Sequence, residues 1–314
     1  MLGQKTGARS VIERAAERLQ RAPDAVARPV ARTPAAVAAE PLPPLQQSPP
    51  AALPPRATSG VPAKLLRRSA GRVEIDLKRL PKVGVVSPAY TSNRTTEEFR
   101  MIKHAALQRV ARASEAGFAN ARLIMVTSAR EGEGKSFVAS NLALSIAAEK
   151  DRSVLLVDAD PSRSAVARYF DISAERGLLD ALEHQDIGFA DVVLETNIDG
   201  LYLIPAGPRR PLSAELYASD RMGKLLDQIV RELPNSIILF DAPPVLATGE
   251  PSALAQRMGQ IVFVVEAEKT AQSAIAEALN LINICPNIGF VFNKMRFQFG
   301  SVRFGYYYGY YNRK

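Results

Sequence analysis

Residues 123–136 read Leu123-Ile-Met-Val-Thr127-Ser-Ala129-Arg130-Glu131-Gly132-Glu133-Gly134-Lys135-Ser136. An apolar run, Leu123–Thr127, enters a glycine-rich loop, and the residues after it, Ser136–Ala148, carry a helical period. That strand–loop–helix setting is what a phosphate-binding loop requires. Gly132 and Gly134 let successive backbone N–H groups turn inward toward an anion. The helix that starts at Lys135 aims its positive end at the same point. Lys135 is placed to reach the outer phosphates of a nucleoside triphosphate, and the Ser136 hydroxyl to join a Mg²⁺ shell. The expected nucleotide contacts are Ala129, Arg130, Glu131, Gly132, Glu133, Gly134, Lys135, Ser136 and Phe137. The first glycine of the generic pattern is here Ala129. The bland alternative is a glycine-rich turn with a stray lysine, and two carboxylate motifs downstream argue against it.

The first of these is Val154-Leu-Leu-Val-Asp158-Ala-Asp160, and the second is Ile237-Ile-Leu-Phe-Asp241-Ala-Pro243-Pro244. Each apolar run followed by an acid places that acid at the C-terminal edge of a buried strand, beside the loop. Mg²⁺ prefers carboxylate and water oxygens. A single strand-terminal Asp is more often a cap or turn residue. Two of them after a phosphate loop point to metal binding and catalysis.

Outward from this centre the pattern alternates. Strands are expected at Val154–Val157, Leu201–Ile204, Ile237–Phe240, Ile261–Val265 and Ile288–Phe292. Helices are expected at Thr95–Ala113, Met222–Glu232 and Ala271–Ile284. Short apolar strands between helices predict a mainly parallel sheet in a three-layer α/β fold of P-loop NTPase type, as one domain over 73–294. Residues 22–62 hold 11 of the 22 prolines, so 22–72 reads as an extended linker. Before it, residues 10–21 suit a short amphipathic helix, with Ser10 as cap and Glu13 at the capping-box position. Two readings of that helix stand: a docking peptide on a tether, or a helix without a partner. At the other end, residues 295–314 form a tail with five of the nine tyrosines, Tyr306, Tyr307, Tyr308, Tyr310 and Tyr311.

The formal charge of +8 lies wholly in residues 1–80, with 14 Lys/Arg and 6 Asp/Glu, whereas residues 81–314 carry 26 of each. A neutral globule with a basic arm does not suit nucleic-acid binding, which puts its basic patch on the fold. The arm suits anionic lipid, an acidic partner segment, or plain solubility. Cys285, the single cysteine, allows no internal disulfide and fits a reducing cytosol; it is expected to end a helix as a small buried residue. No apolar window is long enough to span a bilayer and no secretory leader is visible, so any membrane role is expected to run through a partner. His104 and His184 read as isolated surface residues. Arg209 and Arg210 follow a strand and either face phosphate or sit in a solvated loop.

The three motifs and the tyrosine-rich end together resemble the bacterial tyrosine kinases of capsule and exopolysaccharide synthesis, over roughly residues 73–314. The family loop resembles Thr-Ser-x-x-Pro-Gly-Glu-Gly-Lys-Ser, with Glu131 here in place of the proline. Its second motif resembles Asp-x-Asp-Leu-Arg-x-Pro. Asp158 and Asp160 match, Pro161, Ser162 and Ser164 do not, and only Arg163 keeps a basic group nearby. The third motif matches at Asp241, Pro243 and Pro244. The resemblance implies ATP and Mg²⁺ as cofactors, with Lys135, Asp158, Asp160 and Asp241 as catalytic residues. Asp158 would accept or orient the tyrosine proton, and Ser136, Asp160 and Asp241 would hold the metal. The tail tyrosines would be the acceptors, phosphorylated by a neighbouring copy. Asn293, just past the last strand, is either an adenine contact or a turn residue.

Glu97-Glu-Phe-Arg100-Met-Ile-Lys103 is similar to a family helix that joins subunits into a ring. Spacing of three sets Glu97, Arg100 and Lys103 along one face, which by itself means a solvated charged face. Ser10–Leu19, Ile75–Leu80 and the 97–103 helix further resemble the exosortase-associated branch, in which the kinase is separate from its membrane activator. That resemblance implies a homo-oligomer and an inner-membrane chain-length regulator as activator, with the kinase in the cytoplasm, peripheral to the membrane. Two other functions fit part of the pattern. One is a partitioning-type ATPase switch, which typically carries lysine where Arg130 stands. The other is a non-catalytic ATP-binding scaffold of an export complex.

Overall fold

The computed structural model describes residues 69–87, 94–118 and 120–296. The expected helix over 10–21, nearly all of the 22–72 linker and the tail tyrosines lie outside the described residues. Eight strands form one sheet: β1 (Gly71–Val73), β2 (Leu123–Ser128), β3 (Ser153–Asp158), β4 (Leu194–Thr196), β5 (Leu201–Ile204), β6 (Ser236–Asp241), β7 (Gln260–Glu266) and β8 (Ile288–Asn293). Their order is β1-β4-β5-β3-β6-β2-β7-β8, and every pair is parallel except β4 with β5.

The central strands β2, β3 and β6 are buried along their whole length, which is why they read as continuous apolar runs. Alternate side chains on them enter opposite cores. Leu123, Met125, Leu155, Val157, Ile238 and Phe240 face one, whereas Ile124, Val126, Val154, Leu156, Ile237 and Leu239 face the other. The second core is closed by α1 (Arg94–Glu115), α2 (Lys135–Ala147) and α3 (Ala165–Phe170). The first is closed by α4 (Leu178–Glu183), α5 (Ser213–Ala218), α6 (Asp220–Glu232), α7 (Glu250–Ala255) and α8 (Gln272–Ile282). The expected three-layer architecture is therefore present.

Helix α2 is buried on nearly all sides, so the element that ends the phosphate loop is held by the core itself. Helix α6 is amphipathic: Met222, Leu225, Leu226 and Ile229 are buried, and the Ser219 hydroxyl caps it by accepting from Met222 N at 3.3 Å.

Strand β1 begins at Gly71, two residues ahead of the expected domain start, and pairs with β4. Asn197 fixes the segment by accepting from Ile75 N at 2.9 Å and donating to Ile75 O at 3.1 Å. A 3₁₀ turn over Leu80–Val83 follows, and Asn141 of α2 accepts from Val86 N at 2.7 Å. The helix expected to run to Ile284 stops at Ile282, so Cys285 does not end a helix. It lies buried in the connection to β8, with Sγ 3.5 Å from Met258 O. Among the described residues no helix is long and apolar enough to cross a membrane.

Candidate functional site

The loop between β2 and α2 lies at the C-terminal edge of the sheet. Gly134 has φ +100° and an added Cβ would fall 2.0 Å from Asn293 Nδ2, so both conformation and space demand glycine there. Gly132 also takes a left-handed φ, +82°. Glu133, buried in spite of its charge, braces the loop from inside. One carboxylate oxygen accepts from Arg130 N at 2.9 Å and the other from the Thr270 hydroxyl. Its carbonyl accepts from Asn293 Nδ2 at 2.9 Å, and Lys294 Nζ donates to Gly132 O at 2.6 Å. The strand-end residues 293 and 294 therefore hold the loop backbone in shape. Ala129 is buried, and its carbonyl accepts from Leu246 N at 3.1 Å, tying the loop to the chain that follows Asp241.

Beneath the loop sits a sealed cluster of one cation and three acids. Asp158 and Asp241 are directly paired across β3 and β6, and Asp160 lies two residues past the end of β3. All three are fully buried. Lys135 Nζ stands 2.6 Å from Asp160 Oδ2, 3.7 Å from Asp241 Oδ1 and 3.3 Å from Ser136 Oγ. Asp158 is held by Asp160 N at 3.0 Å and Val166 N at 3.3 Å.

Burial and the neighbouring Asp241 and Asp160 push the Asp158 carboxyl up to about 8, against the opposing pull of Asp160 N and Lys135. Burial also raises Asp241, in spite of Lys135. Burial works on Asp160 in the same sense, but the charge and hydrogen bond of Lys135 and the bond from Ser162 outweigh it and hold Asp160 below the ordinary range. Burial disfavours the Lys135 ammonium, and Asp241, Asp160 and Asp158 more than compensate, so its pKa is raised.

Neither oxygen of buried Asp241 has a hydrogen-bond donor. A buried carboxylate in that condition suits a hard cation. Among the described residues no three His, Cys, Asp or Glu side chains are spaced as a metal cage. Mg²⁺ in a triphosphate site needs only one or two carboxylates, with phosphate and water oxygens completing its shell. Ser136, Asp160 and Asp241 fit that role.

A cavity of about 630 Å³ opens beside the loop, lined by Gly132, Gly134, Lys135, Ser136, Phe137 and Asn293 among others. Its far wall was not legible from pattern: Arg79 and Val83 of the N-terminal segment and Arg168 and Tyr169 of α3. Arg79 is set there by donating to Arg168 O at 3.1 Å. Arg163 also lines the cavity and is ion-paired to Glu131.

Other expectations resolve plainly. Glu97 and Arg100 pair with each other along α1, while Lys103 is turned to Glu149 near the end of α2. Lys103 is thus committed within the chain. Arg210 does not point to the phosphate loop; it pairs with Asp180 at 3.0 Å and Glu183 at 2.6 Å. His104 and His184 are exposed, as expected.

The family described as "AAA domain" matches residues 121–288. EpsB of Ralstonia nicotianae is 36% identical over 202 residues, which are 60% of this chain and 26% of EpsB, so the chain spans about a quarter of that relative's length. The tyrosine-protein kinase YwqD of Bacillus subtilis is 31% identical over 186 residues, 59% of this chain and 76% of YwqD. The solved BceF tyrosine kinase domain superposes with a TM-score of 0.54 at 26% identity, covering 74% of this chain and 98% of that domain.

Proposed function

The chain belongs to the AAA-domain family and, within it, to the bacterial tyrosine-protein kinases, and from that premise we propose that it is an ATP-dependent tyrosine autokinase. Its acceptors would be Tyr306, Tyr307, Tyr308, Tyr310 and Tyr311 of a neighbouring copy. The observation that carries this reading is the buried Lys135 between Asp160 and Asp241, with Asp158 beside them.

The loop amides and the start of α2 bind the β- and γ-phosphates. Lys135 leaves Asp160 for the phosphate oxygens, exchanging one charge-assisted bond for another. Ser136, Asp160 and Asp241 would hold Mg²⁺, which would supply positive charge to offset that of the transferring phosphoryl group. The tyrosine oxygen attacks the γ-phosphorus, the bond to the β,γ-bridging oxygen breaks, and ADP departs. Asp158 takes the phenolic proton. Its pKa near 8 lies close to working pH, as a general base requires, whereas free tyrosine titrates near 10. Asn293, on the cavity wall, would meet the nucleoside end.

Each phosphate adds about −1.5 to −2 charge to the tail, and repulsion among them expels it. Glu97, Arg100 and Lys103 would lie at a ring interface between copies. An inner-membrane chain-length regulator would be the activator and the only link to the membrane, and the cycle would pace exopolysaccharide polymerisation and export.

The test is phosphotyrosine detection on the purified full chain with Mg·ATP and the activator's cytoplasmic segment, beside Lys135→Met and a chain lacking residues 306–311. Signal in the parent and loss in both variants is expected. ATP binding without phosphotyrosine would overturn the kinase reading in favour of a switch or scaffold.

A further inference from the structure

Glu131 and Arg163 are two of the exposed charges that line the nucleotide cavity. They are joined as an ion pair, with side chains 55% and 45% exposed. One comes from the phosphate loop and the other from the turn after Asp160. That turn is tight: Arg163 N and Ser164 N both donate to Asp160 O, at 3.2 and 3.0 Å, and Ser164 takes φ +43°. Arg163 is therefore presented over the loop by fixed backbone, three residues after Asp160, which itself binds Lys135. Both members line the same cavity as Gly132, Gly134, Lys135 and Ser136. A guanidinium is matched to phosphate as well as to carboxylate, through a planar fork of donors. An exposed pair of this kind is a weak bond and yields readily to a more highly charged anion.

We propose that Glu131 is a built-in stand-in for the terminal phosphates of the nucleotide, and that Arg163 is a phosphate-positioning residue that changes partner when the nucleotide enters. The inference rests on the nucleotide reading of the cavity, but not on the transfer of phosphate to tyrosine. Glu131 competes with the ligand for Arg163, so the two side chains have opposite effects on affinity although they form one bond. A pair that merely braced the two loops would act in one direction only.

The experiment measures binding of Mg²⁺ with a non-hydrolysable ATP analogue, and of AMP, to the full chain as parent, Glu131→Gln, Arg163→Gln and the double variant. Arg163→Gln is expected to weaken the triphosphate about tenfold or more, the scale of a lost charged hydrogen bond, and to leave AMP unchanged. Glu131→Gln is expected to tighten the triphosphate by up to about fivefold, the most that release of an exposed pair can return. In the Arg163→Gln background, Glu131→Gln is expected to do nothing. Weakening by both single variants would identify a structural brace and overturn the proposal. Equal tightening by Glu131→Gln with and without Arg163 would identify simple repulsion and overturn it too. A parent that binds no nucleotide would overturn both this inference and the functional reading. The expected binding pattern without any phosphotyrosine would keep the inference and remove the kinase.

Discussion

Lys135 Nζ lies 2.6 Å from Asp160 Oδ2 in a setting where neither side chain is more than 7% exposed. Among the described residues it is the only cation ion-paired to a cluster whose other members, Asp158 and Asp241, are also buried. The residue proposed to bind phosphate is thus also the residue that permits three acids to be folded together.

Lys135→Met is accordingly expected to lose nucleotide binding and also to destabilise the fold by about 3–5 kcal/mol, the usual cost of stripping a buried charge of its partner. Adding Asp160→Asn to that variant will recover part of the lost stability and none of the activity. Urea denaturation beside phosphotyrosine detection checks both halves. An unchanged midpoint in Lys135→Met would contradict the cluster's dependence on that cation.

The Asp158 carboxyl titrates near 8 in the folded chain, against an ordinary value of 3.8. The folded state therefore holds a proton that the unfolded state has released between these limits. Stability associated with this group is greatest below pH 4 and falls as pH rises toward 8. Asp158→Asn removes that loss. Its melting temperature is expected to exceed the parent's at pH 8–9, by the several degrees that about 1 kcal/mol or more produces, and to match it near pH 4. The same variant will not transfer phosphate. A melting difference that grew toward acid pH would refute the assignment.

At Gly134 a methyl group meets Asn293 Nδ2 and the backbone has φ +100°. Gly134→Ala is expected to reduce nucleotide affinity more than tenfold, because about 1–2 kcal/mol of backbone strain and a clash both fall on the loop. Asn293→Ala in the same chain removes the clash and leaves the strain, so titration will show partial recovery. Full recovery would mean that the left-handed conformation is not needed.

The Thr270 hydroxyl reaches the loop by donating to the Glu133 side chain, and it also accepts from Glu266 N at 3.1 Å. Thr270→Val leaves one oxygen of a buried carboxylate without its donor, at a cost of about 1–3 kcal/mol. Calorimetry is expected to show weaker nucleotide binding together with a lower melting temperature. Loss of stability with unaltered affinity would show that the brace does not shape the loop.

The central machinery was legible because it is written locally. The runs before Asp158 and Asp241 are buried strands, and the spacing to Lys135 and Ser136 follows from one strand, one turn and one helix start. Helices α3, α4, α5 and α7 were not foreseen, since six residues are too few to display a helical period. Strand β4 was missed for the same reason, with three residues and one antiparallel neighbour. The far wall of the cavity was invisible for a different reason. Arg79 and Tyr169 meet there only because β1 docks on β4 and the segment after it turns back over α3. The partnership of Glu131 with Arg163 spans 32 residues and joins the residue that replaces the family proline to one between Ser162 and Ser164, where the second motif departs from the family pattern.

Phe99 of α1 and Phe137 of α2 meet edge to face, with ring centroids 5.8 Å apart. One ring sits within the turn that carries Glu97 and Arg100, and the other directly follows Lys135-Ser136. These two helix starts are expected to open to solvent as one cooperative unit. Amide protons around residue 99 will exchange with solvent on the same schedule as those around residue 137, and nucleotide will slow both. Whatever grips the outside of α1 therefore alters how often the phosphate loop comes undone.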